Sequence, residues 1–313
     1  MRTAFIVFSC LGAALACERP AEQATNLPVN DSLPPFGEII GGAPPEAWQA
    51  LDPENTLYLD LPRGRVIIRL AEDWAPSTVA NIKALVRRQY FDGASIIRSQ
   101  DNYVVQWGWP RGQTPPFEEA RRQIGPEFDI AIPPGVPFTA LPDPDTYAPE
   151  VGFSNGWPVA RDPSIGRAWL THCYAMVGVA RGDAPNSGSG AELYVVIGHA
   201  PRHLDRNIAV VGRVVQGMEL LSTMPRGTGN QGFYETAAER TRIRSVRVAA
   251  DVPEAERVPL EFLRTDSDAF KQVIVARRSR REVWFVEPSD RINLCNVPLP
   301  VRMALSRTES ESR

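Results

Sequence analysis

Two histidines four residues apart, His199 and His203, have the separation of paired metal ligands on a helix face. Pro201 stands between them, which reads as a loop, and no third ligand follows at a suitable spacing, so no metal is expected. His172-Cys173 sets a base beside a thiol, yet neighbours on a strand point to opposite faces, and the cysteine reads as structural. Gly188-Ser189-Gly190 lacks the glycine spacing and the strand-turn-helix setting of a hydrolase nucleophile. Arg181-Gly182-Asp183 reads as a turn and Trp74 as helix packing. The basic run Arg277-Arg278-Ser279-Arg280-Arg281 reads as a solvated loop, with contact to an anionic lipid or partner as the sharper alternative. Residues 91–108 hold an arginine, Arg98, and an amide, Gln106, among aromatic and β-branched neighbours.

These groups need a framework. Leu57-Tyr58-Leu59-Asp60-Leu61 and Val66-Ile67-Ile68-Arg69-Leu70 are β-rich runs, and Pro62-Arg63-Gly64-Arg65 reads as the hairpin turn between them. Pro76 suits a first helical turn, and Val79, Ile82, Leu85 and Val86 then recur on one helical face. Strand character continues at Ile96-Ile97 and Tyr103-Val104-Val105-Gln106, and returns at residues 174–179, 193–197, 209–215 and 243–248. Residues 218–224 read as a second, shorter helix. Residues 107–170 are rich in Pro and Gly and read as a long irregular insertion. Many short strands with two helices fit a closed antiparallel barrel with helical caps, and an open sandwich is the alternative on pattern alone.

The block Phe91-Asp92-Gly93-Ala94-Ser95-Ile96-Ile97-Arg98-Ser99-Gln100-Asp101-Asn102-Tyr103-Val104-Val105-Gln106-Trp107-Gly108 resembles the cyclophilins. That family carries an aromatic, a Gly two later, an apolar-His-Arg triplet and then Phe-apolar-x-Gln-Gly-Gly. The stretch Leu204-Asp205-Arg206-Asn207-Ile208-Ala209-Val210-Val211-Gly212-Arg213-Val214-Val215-Gln216-Gly217-Met218 is similar to the family's second block. Met176-Val177-Gly178-Val179-Ala180-Arg181 and Ala191-Glu192-Leu193-Tyr194-Val195 resemble the two strands between them, and the likeness covers roughly residues 54–250. It implies a closed eight-stranded antiparallel barrel capped by two helices, and a peptidyl-prolyl cis/trans isomerase that needs no cofactor. Such an enzyme needs an apolar pocket for a proline ring and donors that favour the twisted amide, since C–N resonance sets a barrier of ~18–20 kcal/mol. Arg98 becomes the catalytic donor, with Gln106 placing Arg98 or the substrate backbone. Tyr103, Val104, Tyr194 and Leu204 line the proline pocket, and Glu192 and His203 complete the substrate-binding set. A shift of one residue would put Val195 in the place of Tyr194. His203 stands at a rim position often held by Trp in eukaryotic relatives, which implies weak cyclosporin binding. The departures are Ile97 for His, Trp107 for Gly, Glu192 for Gln and Ile208 for His, and they leave a non-catalytic module that binds Pro-containing segments as the alternative function.

Composition agrees with a soluble globular chain: 313 residues, 43% hydrophobic, 23% charged, net charge −3. A nucleic-acid partner is not expected, because that would call for a basic surplus. After Met1-Arg2-Thr3, residues 4–16 are uncharged and apolar and end in Ala14-Leu15-Ala16-Cys17, an export signal too short to span a bilayer. Cleavage after Ala16 by signal peptidase is one ending; acylation of Cys17 as a lipoprotein is the other. Cys173 and Cys295 remain in the mature chain, as a disulfide in an oxidising compartment or as two separate buried thiols. The expected organisation is a signal peptide over 1–16, a flexible linker over 17–50, a cyclophilin-like domain over 51–250 and an extension over 251–313. In the extension, Val273-Ile274-Val275 and Val283-Trp284-Phe285-Val286 suggest a hairpin, followed by a polar tail. The expected protein is a monomer facing the periplasm, acting on unfolded or flexible Pro-containing polypeptides and touching membrane only through an N-terminal lipid.

Overall fold

Alternation sets the two faces of the main sheet. In β2 (Thr56–Leu61) and β3 (Gly64–Leu70), Leu57, Leu59, Leu61, Val66, Ile68 and Leu70 all enter one apolar core, while Tyr58 and Ile67 point to the opposite face. Leu61 pairs with Gly64, so the hairpin loop narrows to Pro62-Arg63. The computed structural model describes residues 34–117 and 120–304. The expected export signal, Cys17, the first part of the expected linker and the end of the expected polar tail lie outside the described residues.

Eight antiparallel strands form the main sheet. Besides β2 and β3 they are β4 (Ser95–Ser99), β5 (Val104–Gly108), β11 (Met176–Val179), β12 (Leu193–Val196), β13 (Val210–Gln216) and β14 (Ser245–Val248), in the order β14-β2-β3-β13-β11-β12-β5-β4. The expected closed barrel does not form: the sheet curls, and no ladder joins β14 to β4. The gap is spanned by one bridge, Ser95 with Arg242, and by backbone hydrogen bonds of Gly93, Ala94 and Ile96 with residues 241 and 243. Side chains stand where a ladder partner would be. Asp92 accepts from the Val246 N–H at 3.3 Å and from both terminal nitrogens of Arg247 at 2.8 and 2.7 Å.

Helix α2 (Pro76–Arg87) plugs one end of the curl, burying Val79, Ile82, Leu85 and Val86 in the core. Its first turn is capped from the insertion: the Ser77 and Thr78 N–H groups donate to the Glu127 carboxylate at 2.9 and 2.8 Å. A carboxylate there answers both the orphan donors and the positive end of the helix. Helix α3 (Met218–Ser222) packs near β3.

The insertion is not an irregular loop. It contains β6 (Ile130–Ala131), β7 (Thr139–Ala140), β8 (Glu150–Ser154), β9 (Trp157–Asp162) and β10 (Arg167–Leu170), a five-stranded antiparallel sheet ordered β6-β10-β9-β8-β7. Strands of two to six residues interrupted by Pro and Gly carry little periodic signal, which is why the sequence reads as loop. Four α-helices stand among the described residues rather than two. The segment 34–50 supplies α1 (Phe36–Gly42) and β1 (Trp48–Ala50), and β1 joins β15 (Leu260–Leu263) and β16 (Val301–Met303) in a third sheet.

The expected C-terminal hairpin is instead a helix, α4 (Asp268–Ser279), which holds Val273-Ile274-Val275. The Ser267 hydroxyl accepts the Phe270 N–H at 3.2 Å as its N-cap, and Ala269, Phe270, Val273 and Ile274 share the buried face. Val283, Trp284 and Val286 are exposed and form no strand. Residues from α1, the insertion sheet and α4 build a second core around Phe153, Trp157, Trp169 and Phe270, and the Cys173–Cys295 disulfide ties it together across 122 residues.

Candidate active site

The groove lies on the outer face of the main sheet, over β4, β5 and β12. Val105, Trp107, Leu193 and Val195 point into the core, so Val104, Gln106, Tyr194 and Val196 must point outward. Val195 is therefore a core residue, and Tyr194 faces the groove. On β4 strict alternation would place Arg98 with Ile96 in the core. A bulge intervenes: Ile96 pairs with Trp107 and Arg98 with Gln106, leaving Ile97 as the unpaired extra residue. One inserted residue re-aims every side chain after it, and here it brings Arg98 onto the face of Gln106.

Three contacts hold the half-buried guanidinium. Arg98 Nη1 donates to Gln106 Oε1 at 3.1 Å, Nη2 donates to Gln100 Oε1, and Nε donates to the Gln231 carbonyl at 2.8 Å. One N–H on each nitrogen is thereby engaged, and each terminal nitrogen keeps a second N–H for a ligand. The rings of Tyr103 and Phe233 flank the charge at 5.6 and 5.1 Å. Burial pulls the Arg98 pKa below its ordinary value, opposed by Tyr103 and Glu192.

The groove beside it has a volume of about 570 Å³ and is lined by Arg98, Tyr103, Val104, Gln106, Glu192, Tyr194, Leu204, Ile208 and Phe233, among others. Every expected site residue of the isomerase set is on this wall except His203. That side chain is exposed, with its ring parallel to Tyr103 at 6.5 Å between centroids. A second lobe runs toward Tyr90, Trp109, Phe117 and Ser189.

Tyr194 rests on Gly178, where a Cβ would lie 2.3 Å from its phenol oxygen; any larger residue would expel the ring. Its hydroxyl meets His172 Nε2 at 2.9 Å, and His172 Nδ1 meets Asp205 Oδ1 at 2.8 Å. A carboxylate only accepts, so His172 Nδ1 carries a proton toward Asp205, and with a neutral imidazole the Tyr194 O–H donates to Nε2. Tyr194 thus offers a ligand its ring, while its proton is committed to the interior. Burial holds that phenol well above the usual tyrosine range. Asp205 also binds Arg202 Nε, and Arg202 forks onto Asp145 of the insertion at 2.9 and 3.1 Å.

Sequence reasoning missed several of these parts. Gln231 and Phe233 reach Arg98 from a loop 133 residues away in the case of Gln231, and no local pattern marks them. In the fold Cys173 is in the disulfide and His172 lies beneath Tyr194, a contact that the pair His172-Cys173 does not signal. Gln100, two residues after Arg98, accepts from its Nη2, and no feature of the local sequence marks that role.

Comparisons with known proteins bear on the family and the fold. A family model described as cyclophilin type peptidyl-prolyl cis-trans isomerase/CLD matches residues 56–248. A probable peptidyl-prolyl cis-trans isomerase of Brucella suis is 29% identical over 181 residues, spanning 57% of this chain and 76% of its own length. Human peptidyl-prolyl cis-trans isomerase-like 1 is 30% identical over 100 residues, 32% of this chain and 56% of its own. Among solved structures, cyclophilin AquaCyp293 from Hirschia baltica aligns with a TM-score of 0.65 at 23% identity, covering 83% of this chain and 95% of that one. That share exceeds what residues 56–248 amount to, so the likeness in fold reaches into the flanking segments.

Proposed function

The chain belongs to the cyclophilin-type peptidyl-prolyl cis-trans isomerases, and from that premise we propose that it acts on X-Pro bonds of exported polypeptides in the cell envelope. The observation that carries the catalytic reading is the Arg98 fork, pinned on three sides with two N–H groups to spare, at the edge of a groove whose wall carries Tyr103, Val104, Tyr194 and Leu204. A proline ring seats against Tyr103, Val104, Tyr194 and Leu204. The preceding carbonyl then lies within reach of the guanidinium, which favours the twisted amide, with its localised charge, over either planar form. The chemistry moves no proton and forms no covalent intermediate.

The envelope reading is supported by the apolar run over residues 4–16 ending in Ala14-Leu15-Ala16-Cys17, and by a disulfide suited to an oxidising compartment. Acylated Cys17 would serve as the anchor and residues beyond it as the tether to the folded body.

The test is exchange between cis and trans forms of a short proline peptide, followed by NMR with the intact chain. Acceleration well above the uncatalysed rate, which is about tens of seconds per event, is expected. Peptide binding without acceleration would instead mark a binding module on this fold. For the anchor, the mass of the mature chain from its native host should correspond to an N-terminal Cys17 carrying fatty acyl chains. A mass showing the signal intact, or simple cleavage, rules the lipid out.

A further inference from the structure

Glu192 stands where the family resemblance implies glutamine, and the exchange changes what the neighbouring amide can do. Gln106 is held between two charged groups. Its Oε1 accepts from Arg98 Nη1 at 3.1 Å, and its Nε2 donates to Glu192 Oε1. A guanidinium can only donate and an ionised carboxylate can only accept. An amide between them has a single orientation that satisfies both ends. With glutamine at 192, either orientation of Gln106 would find a partner on that side. The path of Glu192 is also confined sterically: it crosses Gly108, where an added Cβ would come within 3.0 Å of Glu192 Cγ.

The structure assigns Glu192 as a positioning residue: when ionised it locks the Gln106 amide with its oxygen toward Arg98, and when protonated it becomes a weaker acceptor and loosens that one of the three contacts that place the guanidinium. This rests on the proposed role of Arg98.

The groups around the carboxyl are few. From β4, Arg98 is the cation that favours its charge, and from β5, Gln106 donates to it. Tyr90, after α2, faces it as a neutral phenol whose pKa burial pushes up to about 12. At the end of β11, Arg181 lines the same groove but is committed to the carbonyls of Gly182, Asp183 and Asn207. Ser187, Ser189, Thr114 and Phe117 complete the surroundings without charge. Burial raises the pKa of Glu192 above the ordinary carboxylate value, and the Gln106 hydrogen bond and Arg98 oppose this only in part. The sign follows: the lock is present above that raised value and is lost as pH falls through it, earlier than for a surface glutamate.

The experiment is kcat/KM and peptide affinity by NMR exchange from pH 8 down to pH 4, for the intact chain and for Glu192→Gln. The wild type should lose activity severalfold through one protonation step with peptide affinity nearly constant. In Glu192→Gln the step should vanish and kcat should sit severalfold below the wild-type plateau. A flat wild-type profile, or the same acid limb in Glu192→Gln, overturns the assignment. The Gln106 side-chain amide and Arg98 Nε–H resonances give a readout independent of turnover. They should shift with the midpoint of the Glu192 carboxyl, and their failure to do so also overturns it. Lack of turnover at every pH refutes the isomerase reading instead, leaving those resonances to decide the lock.

Discussion

Arg98→Ala is expected to lower kcat/KM for a proline peptide by about 10²–10³-fold, the range seen when one preorganised donor is removed from a site that stabilises developing charge. The effect should fall on kcat, because the apolar wall of Tyr103, Val104, Tyr194 and Leu204 that seats the ring is untouched. The fold should survive. Arg98 is half-buried, and the partners it leaves, Gln100, Gln106 and the Gln231 carbonyl, border an open groove where water can replace it. Arg98→Lys is not expected to restore activity. An ammonium is a point charge on a flexible stem and cannot hold three fixed acceptors while presenting a further pair of donors. Exchange spectroscopy on both variants, with thermal unfolding as a control for folding, is the measurement. Turnover within threefold of wild type in Arg98→Ala would remove Arg98 from the mechanism.

Asp205→Ala should cost stability on the order of 3–5 kcal/mol, the range for breaking one side of a buried ion pair. Asp205 joins two buried groups. One carboxylate oxygen takes the backbone N–H of His172 at 2.9 Å and its Nδ1 at 2.8 Å, and the other binds Arg202. Side-chain exposure is 1% for His172, 4% for Arg202, 6% for Asp205 and 3% for Asp145, so water cannot substitute without opening the structure. Arg202 keeps Asp145, but the orphaned His172 loses the group that sets its tautomer and with it the hold on Tyr194. A fall in the unfolding midpoint on the order of 10 °C is expected for a chain of this size. Asp205→Asn should cost less, because an amide oxygen still accepts from His172. A loss under 1 kcal/mol in Asp205→Ala, read from urea unfolding, would show that the network contributes little.

Both variants probe a site whose parts differ in how far they can be read from the chain. Val104-Val105-Gln106-Trp107 pairs with β12 without a register shift, so which of its residues share a face follows from counting along the pleat. The same holds for Leu193-Tyr194-Val195-Val196, once the strand is accepted. Arg98 is different. Counting along β4 puts it on the wrong face, and only the bulge at Ile97, visible in the pairing with β5, turns it to the groove. The departure at Glu192 can be seen in the sequence; its consequence for the Gln106 amide needs the geometry between the strands.

What the sequence determined by itself is local: the period-two faces of β2, β3, β5 and β12, the Pro76-led helix α2, and an ordered set of motifs identifying the family. Periodicity and turn chemistry belong to neighbouring residues, so they are legible without a fold. The tertiary structure alone decided that the main sheet curls without closing, and that Gln231 and Phe233 arrive at Arg98. It also decided that residues near 40, 160 and 270 share a second core. Those outcomes depend on which distant surfaces exclude water together, and no window of sequence contains both partners of such a contact.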